Sequence, residues 1–92
     1  MSTVFVGDVG TVIKLDTGTD LSTATVLKIK VKKPNGTTLE WTAMQDAYNP
    51  KVMTYTTQAG DLDQSGTWKL QAYVEFPSWQ GHGQWASLKV SK

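Results

Sequence analysis

Few side chains in this 92-residue sequence could do covalent chemistry, and most of them stand where a turn would need them. There is one histidine, His82, and no cysteine. A thiolate zinc site, a cysteine nucleophile, a disulfide framework and any mechanism needing two imidazoles are excluded. His82 with Ser78 or Ser87 makes no triad, because no neighbouring acid in the sequence would orient the imidazole. Asp8, Asp16, Asp20, Asp46, Asp61 and Asp63 all fall among turn-forming residues. A carboxylate pair cleaves a glycosidic bond only across a cleft of set separation, whereas a turn aspartate ordinarily accepts from its own backbone. Asp16-Thr17-Gly18-Thr19-Asp20 and Asp61-Leu62-Asp63 offer hard oxygens to calcium. The twelve-residue calcium-loop pattern is missing, however, and an Asx turn accounts for each. The expectation is a protein without catalytic residues, metal or cofactor.

Contact is the chemistry that remains. Nine lysines face eight acids, for a formal charge of +1, and no arginine is present for bidentate reading of phosphate or guanine. Near-neutral charge argues against a general nucleic-acid or membrane binder. Lys28, Lys30 and Lys32 alternate along one strand face about 6–7 Å apart, with Lys33 at its end. Such a stripe can track phosphates. No aromatic residues interleave with it in the sequence for base stacking, and a charged wet face also guards a strand against pairing with another chain. The solvated face is the simpler reading. The aromatic segment Pro77-Ser78-Trp79-Gln80-Gly81-His82-Gly83-Gln84-Trp85 is the strongest contact candidate, read as a glycine-bracketed loop. Trp79 and Trp85 would be planar contact surfaces, with Gln80, His82 and Gln84 as hydrogen-bonding neighbours. Exposed tryptophan is typical of interface anchors. The competing reading is that one or both rings fold back to cap the core.

The elements that must position these residues are strands, since the dominant period is two. In Thr25–Lys33, Leu27, Ile29 and Val31 share one face and the lysines the other. Pro34-Asn35-Gly36 then turns the chain into Thr37–Ala43, with Leu39, Trp41 and Ala43 inward. From Thr67, residues Trp68, Leu70, Ala72, Val74 and Phe76 alternate with Lys69, Gln71, Tyr73 and Glu75, until Pro77 stops the ladder. Gln84–Val90 closes the set, with Ala86, Leu88 and Val90 inward and Trp85 therefore outward. Thr3–Val6, Thr11–Leu15 and Val52–Thr57 are shorter strands. Asp16–Ser22, Gln45–Pro50, Ala59–Gly66 and Pro77–Gly83 read as turns. Nowhere do apolar residues recur at helical spacing for three turns. The expectation is one all-β domain over residues 1–92, a single immunoglobulin-like antiparallel β-sandwich of about seven strands.

Asp61-Leu62-Asp63-Gln64-Ser65-Gly66-Thr67-Trp68-Lys69-Leu70 narrows this further. Immunoglobulin-type domains often begin their penultimate strand with Asp, Gly, Tyr and Cys at these spacings. Here Trp68 stands for Tyr and Leu70 for Cys, which suits a core without a disulfide and leaves the indole N–H as the only polar handle. A wider pattern runs through Asp20-Leu21-Ser22, Ala24, Val26, Lys33-Pro34-Asn35-Gly36, Tyr55, Ala59-Gly60-Asp61, Gly66 and Trp68. It resembles the small β-sandwich domains of tailed-bacteriophage virion proteins, including the N-terminal domain of baseplate upper proteins. Residues Thr11–Leu15 and the tryptophan-rich segment from Phe76 to Trp85 have no counterpart in that pattern.

The resemblance implies a non-enzymatic structural protein of a phage particle, in its tail, baseplate or capsid, working by protein–protein contact in many copies. The implied partners are other virion structural proteins and further copies of itself, with no specific nucleic acid and no membrane. The N-terminus has no basic region and no apolar run of signal-peptide length, so synthesis in the host cytoplasm is expected; residence in the virion is what the resemblance implies. The alternative is a small carbohydrate-binding or host-surface adhesion module, with Trp79 and Trp85 stacking on a surface glycan.

Overall fold

The computed structural model describes residues 4–92. Eight strands follow one another: β1 (Val4–Phe5), β2 (Val12–Asp16), β3 (Val26–Lys32), β4 (Thr38–Thr42), β5 (Met44–Gln45), β6 (Val52–Thr56), β7 (Gly66–Phe76) and β8 (Trp79–Ser91). Among the described residues there is no helix. The first predicted strand is present as β1, its residue Thr3 lying outside the described residues. Five strands form one sheet in the order β1-β8-β7-β3-β4, and three form a second in the order β2-β6-β5. The chain is all-β, as its patterning required.

Inward residues of both sheets share one core. Ile13 of β2 and Met53 of β6 meet Ile29, Val31, Trp41, Trp68, Leu70, Ala72, Val74 and Val90 of the larger sheet, with Leu21 and Leu62 contributed by loops. Trp41 and Trp68 are buried, as the alternation predicts. The Trp41 ring stacks on Tyr55 of the smaller sheet at 4.5 Å and approaches Trp68 at 6.3 Å. Three large rings thus fill the centre, each adding far more apolar area than an aliphatic residue would.

Three expectations change. The strand predicted over Thr37–Ala43 divides at Ala43, whose N–H donates to Leu27 of the larger sheet while Met44 next door pairs with Thr54 of the smaller. A strand that switches sheets makes the corner of a layered fold, and this raises the count from seven to eight. The pairing is not wholly antiparallel either, because β1 lies parallel to β8. These strands come from opposite ends of the chain, so no hairpin fixes their relative direction.

The third change matters most. Pro77–Gly83 is not a turn and the aromatic segment is not a loop. Only Pro77 and Ser78 turn, and β8 begins at Trp79, pairing Trp79 with Phe76, Gln80 with Glu75, Gly81 with Val74 and His82 with Tyr73. The glycines that read as loop markers have a packing reason instead. The indole of Trp79 lies over Gly81, where an added Cβ would come within 2.6 Å of the ring. Glycine inside a strand often marks such a close approach. An 11-residue strand reaches about 37 Å, so the β7–β8 hairpin nearly sets the 41 Å long dimension of the molecule.

Candidate binding face

Five of the six aspartates are occupied locally, and Asp63 pairs with Lys33. Asp16 accepts from the N–H of Gly18, Asp20 from the N–H and hydroxyl of Ser22, and Asp46 from the N–H groups of Tyr48 and Asn49. Those bonds favour the ionised form and hold Asp20 and Asp46 below the ordinary aspartate pKa. Asp61 takes the Gln58 N–H and the Tyr55 hydroxyl. Burial, then that bond, pushes the Tyr55 phenol up to about 12. Among the described residues no three His, Asp or Glu side chains gather as metal ligands.

Trp79 and Trp85 sit on opposite faces of β8. Trp79 pairs with inward Phe76, and their rings lie 5.9 Å apart. It borders a hollow of about 180 Å³ lined by Thr17, Thr19, Leu21 and Val74. Trp85 pairs with Gln71 and points away from the core, as the alternation predicts. Their exposures are similar, 57% and 51%, but no single flat ligand can stack on both. His82 and Gln80 share the outward face with Trp85, opposite Tyr73 and Glu75. Gln84 is exposed within the register shift between the Tyr73–His82 and Gln71–Trp85 pairs.

The outward face of the larger sheet gathers residues that looked unrelated in the sequence. Three rows cross β4, β3, β7 and β8: Thr42–Lys28–Tyr73–His82, Glu40–Lys30–Gln71–Trp85, and Thr38–Lys32–Lys69–Ser87. The lysine stripe therefore does have aromatic neighbours, supplied by β7 and β8. Lys28 and Lys30 reach Glu40 at 4.0 and 3.6 Å. Lys30 also lies over the Tyr73 ring at 5.6 Å, while His82 covers it at 4.8 Å. The Tyr73 hydroxyl donates to Glu75 at 2.9 Å, a bond that raises the phenol pKa. Gln71 donates to the Gly83 carbonyl at 3.0 Å and Lys69 to the Ser87 hydroxyl at 3.2 Å, tying the hairpin together. Open hollows flank Trp85. One, of about 710 Å³, is lined by Lys30, Glu40, Gln71 and His82; the other, of about 350 Å³, by Lys32 and Lys69.

Sequence reading took the Lys28, Lys30 and Lys32 stripe as a solvated face and missed the contribution of Lys69, Gln71 and Tyr73 beside it. Each was assigned outward correctly, but nothing local told that β3 and β7 are partners. No protein-family model, no curated protein and no solved structure matches the chain.

Proposed function

We propose that this protein is a non-enzymatic structural component of a tailed-phage particle, built as an immunoglobulin-like sandwich and acting by protein–protein contact in many copies. The strand orders support the sandwich: β2-β6-β5 corresponds to strands B, E and D, and β8-β7-β3-β4 to G, F, C and C′ of a variable-type domain. One observation supports the resemblance on which the reading rests: the two stretches that resemble the phage domains meet in space. Lys33 pairs with Asp63 at 2.9 Å and lies over the Trp68 ring at 5.6 Å. Pro34 packs on Gly66, which has a φ of 127°. The Trp68 indole N–H donates to the Gln64 carbonyl at 3.0 Å, four residues upstream, as the corner tyrosine of such sandwiches does with its hydroxyl. The spacing of these residues is thus that of a single structural corner. The test is to purify particles from the host that carries this gene and analyse them by mass spectrometry. The chain should be present in many copies per particle; its absence would overturn the assignment.

A second reading, a host-surface adhesion module, is favoured by the half-exposed Trp85 on a face rich in lysine and amide groups. It predicts glycan binding by the isolated protein, which assembly alone does not require.

A further inference from the structure

We propose that Trp85, Lys32 and Lys69 form a binding site for an acidic polysaccharide bearing a carboxylate on its sugar ring. The proposal rests on the adhesion reading above and gives it a ligand class.

Lys32 and Lys69 stand directly opposite each other on β3 and β7. Like charges in that position repel, and among the described residues neither lysine has a carboxylate within ion-pair distance. An anion placed between the two ammonium groups would turn that repulsion into a pair of charge-assisted contacts. The same two lysines line the hollow beside Trp85. The charge of the whole face points the same way. Lys28, Lys30, Lys32, Lys69 and Lys89 project from it against Glu40 and Glu75, five against two, which makes it +3 on a chain of formal charge +1.

The rings decide which polyanion fits. Tyr73 already has Lys30 at 5.6 Å and His82 at 4.8 Å from its ring, whereas Trp85 is half exposed and free to take a ligand. Single-stranded nucleic acid binds by stacking successive bases on successive platforms. One indole beside one lysine pair matches one sugar ring with one carboxylate. The C–H face of a pyranose is apolar and packs on the electron-rich face of an indole. Its hydroxyls then meet Gln71, whose amide oxygen is left over once its nitrogen binds Gly83, and the Ser87 hydroxyl.

The test uses the whole chain and three probes: polygalacturonate as the acidic polysaccharide, a neutral galactan, and single-stranded oligo(dT). Affinity electrophoresis and calorimetry should show polygalacturonate binding that weakens steeply as salt rises from about 0.05 to about 0.5 M. Trp85→Ala and Lys69→Glu should each weaken it about tenfold or more, with Lys69→Gln intermediate and Trp79→Ala without effect. Thermal melts of each variant keep loss of binding separate from loss of fold. Tighter binding of oligo(dT) than of polygalacturonate overturns the proposal. Binding of galactan with equal affinity also overturns it, while leaving the adhesion reading in place. Binding of none of the three, or binding that survives Trp85→Ala and Lys69→Glu in folded protein, removes the site; a glycan array that also stays blank removes the adhesion reading.

Discussion

Replacing Gly66 with alanine tests the corner that links the Pro34 turn to the start of β7. Two costs can be separated. Gly66 has a φ of 127°, a region that residues with a Cβ avoid at about 1–2 kcal/mol. The added Cβ would also come within 2.9 Å of the Pro34 ring, an overpacking worth about 1–2 kcal/mol against a ring that cannot swing aside. Together they come to about 2–4 kcal/mol. A chain of this length holds about 5–14 kcal/mol in total, so Gly66→Ala should remain folded while losing about 10–20 °C in Tm. Urea unfolding followed by circular dichroism measures the loss, with the slope unchanged if the denatured state is unaffected. Pro34→Ala removes the ring without touching the backbone angle at position 66. The double variant should therefore recover about 1–2 kcal/mol relative to the sum of the singles, leaving the φ cost in place. A Gly66→Ala variant within about 0.5 kcal/mol of the parent would refute both terms. A double variant that is strictly additive would refute the contact and leave only the strain.

Trp68→Phe should cost about 2–3 kcal/mol, combining lost ring volume with loss of the bond to Gln64. Trp41→Phe should cost about 1 kcal/mol less, because the Trp41 indole nitrogen is buried without a partner and its removal breaks no bond; equal losses in urea unfolding would refute the difference. In Gly81→Ala the new methyl displaces the Trp79 ring, so iodide should quench that indole more strongly while stability changes by less than about 1 kcal/mol; unchanged quenching would show that the ring does not lie on Gly81. The raised pKa of Tyr55 stabilises the fold fully below about pH 10, and the contribution is lost as pH rises through that value toward about 12. The advantage of the parent over Tyr55→Phe should accordingly shrink across that window, by about 1 kcal/mol after allowance for solvent around the hydroxyl; parallel curves would refute the coupling.

Where each strand keeps its own alternation, the sequence was enough. Leu27–Val31 and Trp68–Val74 announce their faces, and the lysines of β3 and the burial of Trp41 and Trp68 follow directly. The first half of β8 was hidden because its inward positions are Gly81 and Gly83, which carry no hydrophobic signal, while Pro77 and the glycines together imitate a loop. Ala86 shows the same limit, for it faces inward by register yet remains exposed, beside a hollow that it shares with Lys14, Leu15 and Asp16 of β2. The binding face was illegible for another reason. Lys32 meets Lys69, and Lys30 meets Gln71, only because β3 and β7 are neighbours, and pairing across about forty residues of chain leaves no local trace.

The composition offers a last step of reasoning. A formal charge of +1 suggests an electrically bland protein, yet the acids are sorted between its surfaces by side-chain length. All six aspartates lie outside the larger sheet's outward face, and most bind backbone N–H groups. The short carboxylate reaches its own turn, and the longer glutamate does not. Both glutamates stand instead on the outward face, where Glu40 bridges Lys28 and Lys30 and Glu75 holds Tyr73. Four lysines and six aspartates off that face sum to −2, and five lysines and two glutamates on it sum to +3. The near-zero total is therefore the residue of two opposed surfaces. A partner approaching the larger sheet meets a positive field with an indole on β8 at its side, while one approaching the turns meets carboxylates that mostly accept from backbone N–H groups. Among the described residues, the first surface offers lysines with no carboxylate partner, and the second keeps its net negative charge on hydrogen-bonded carboxylates.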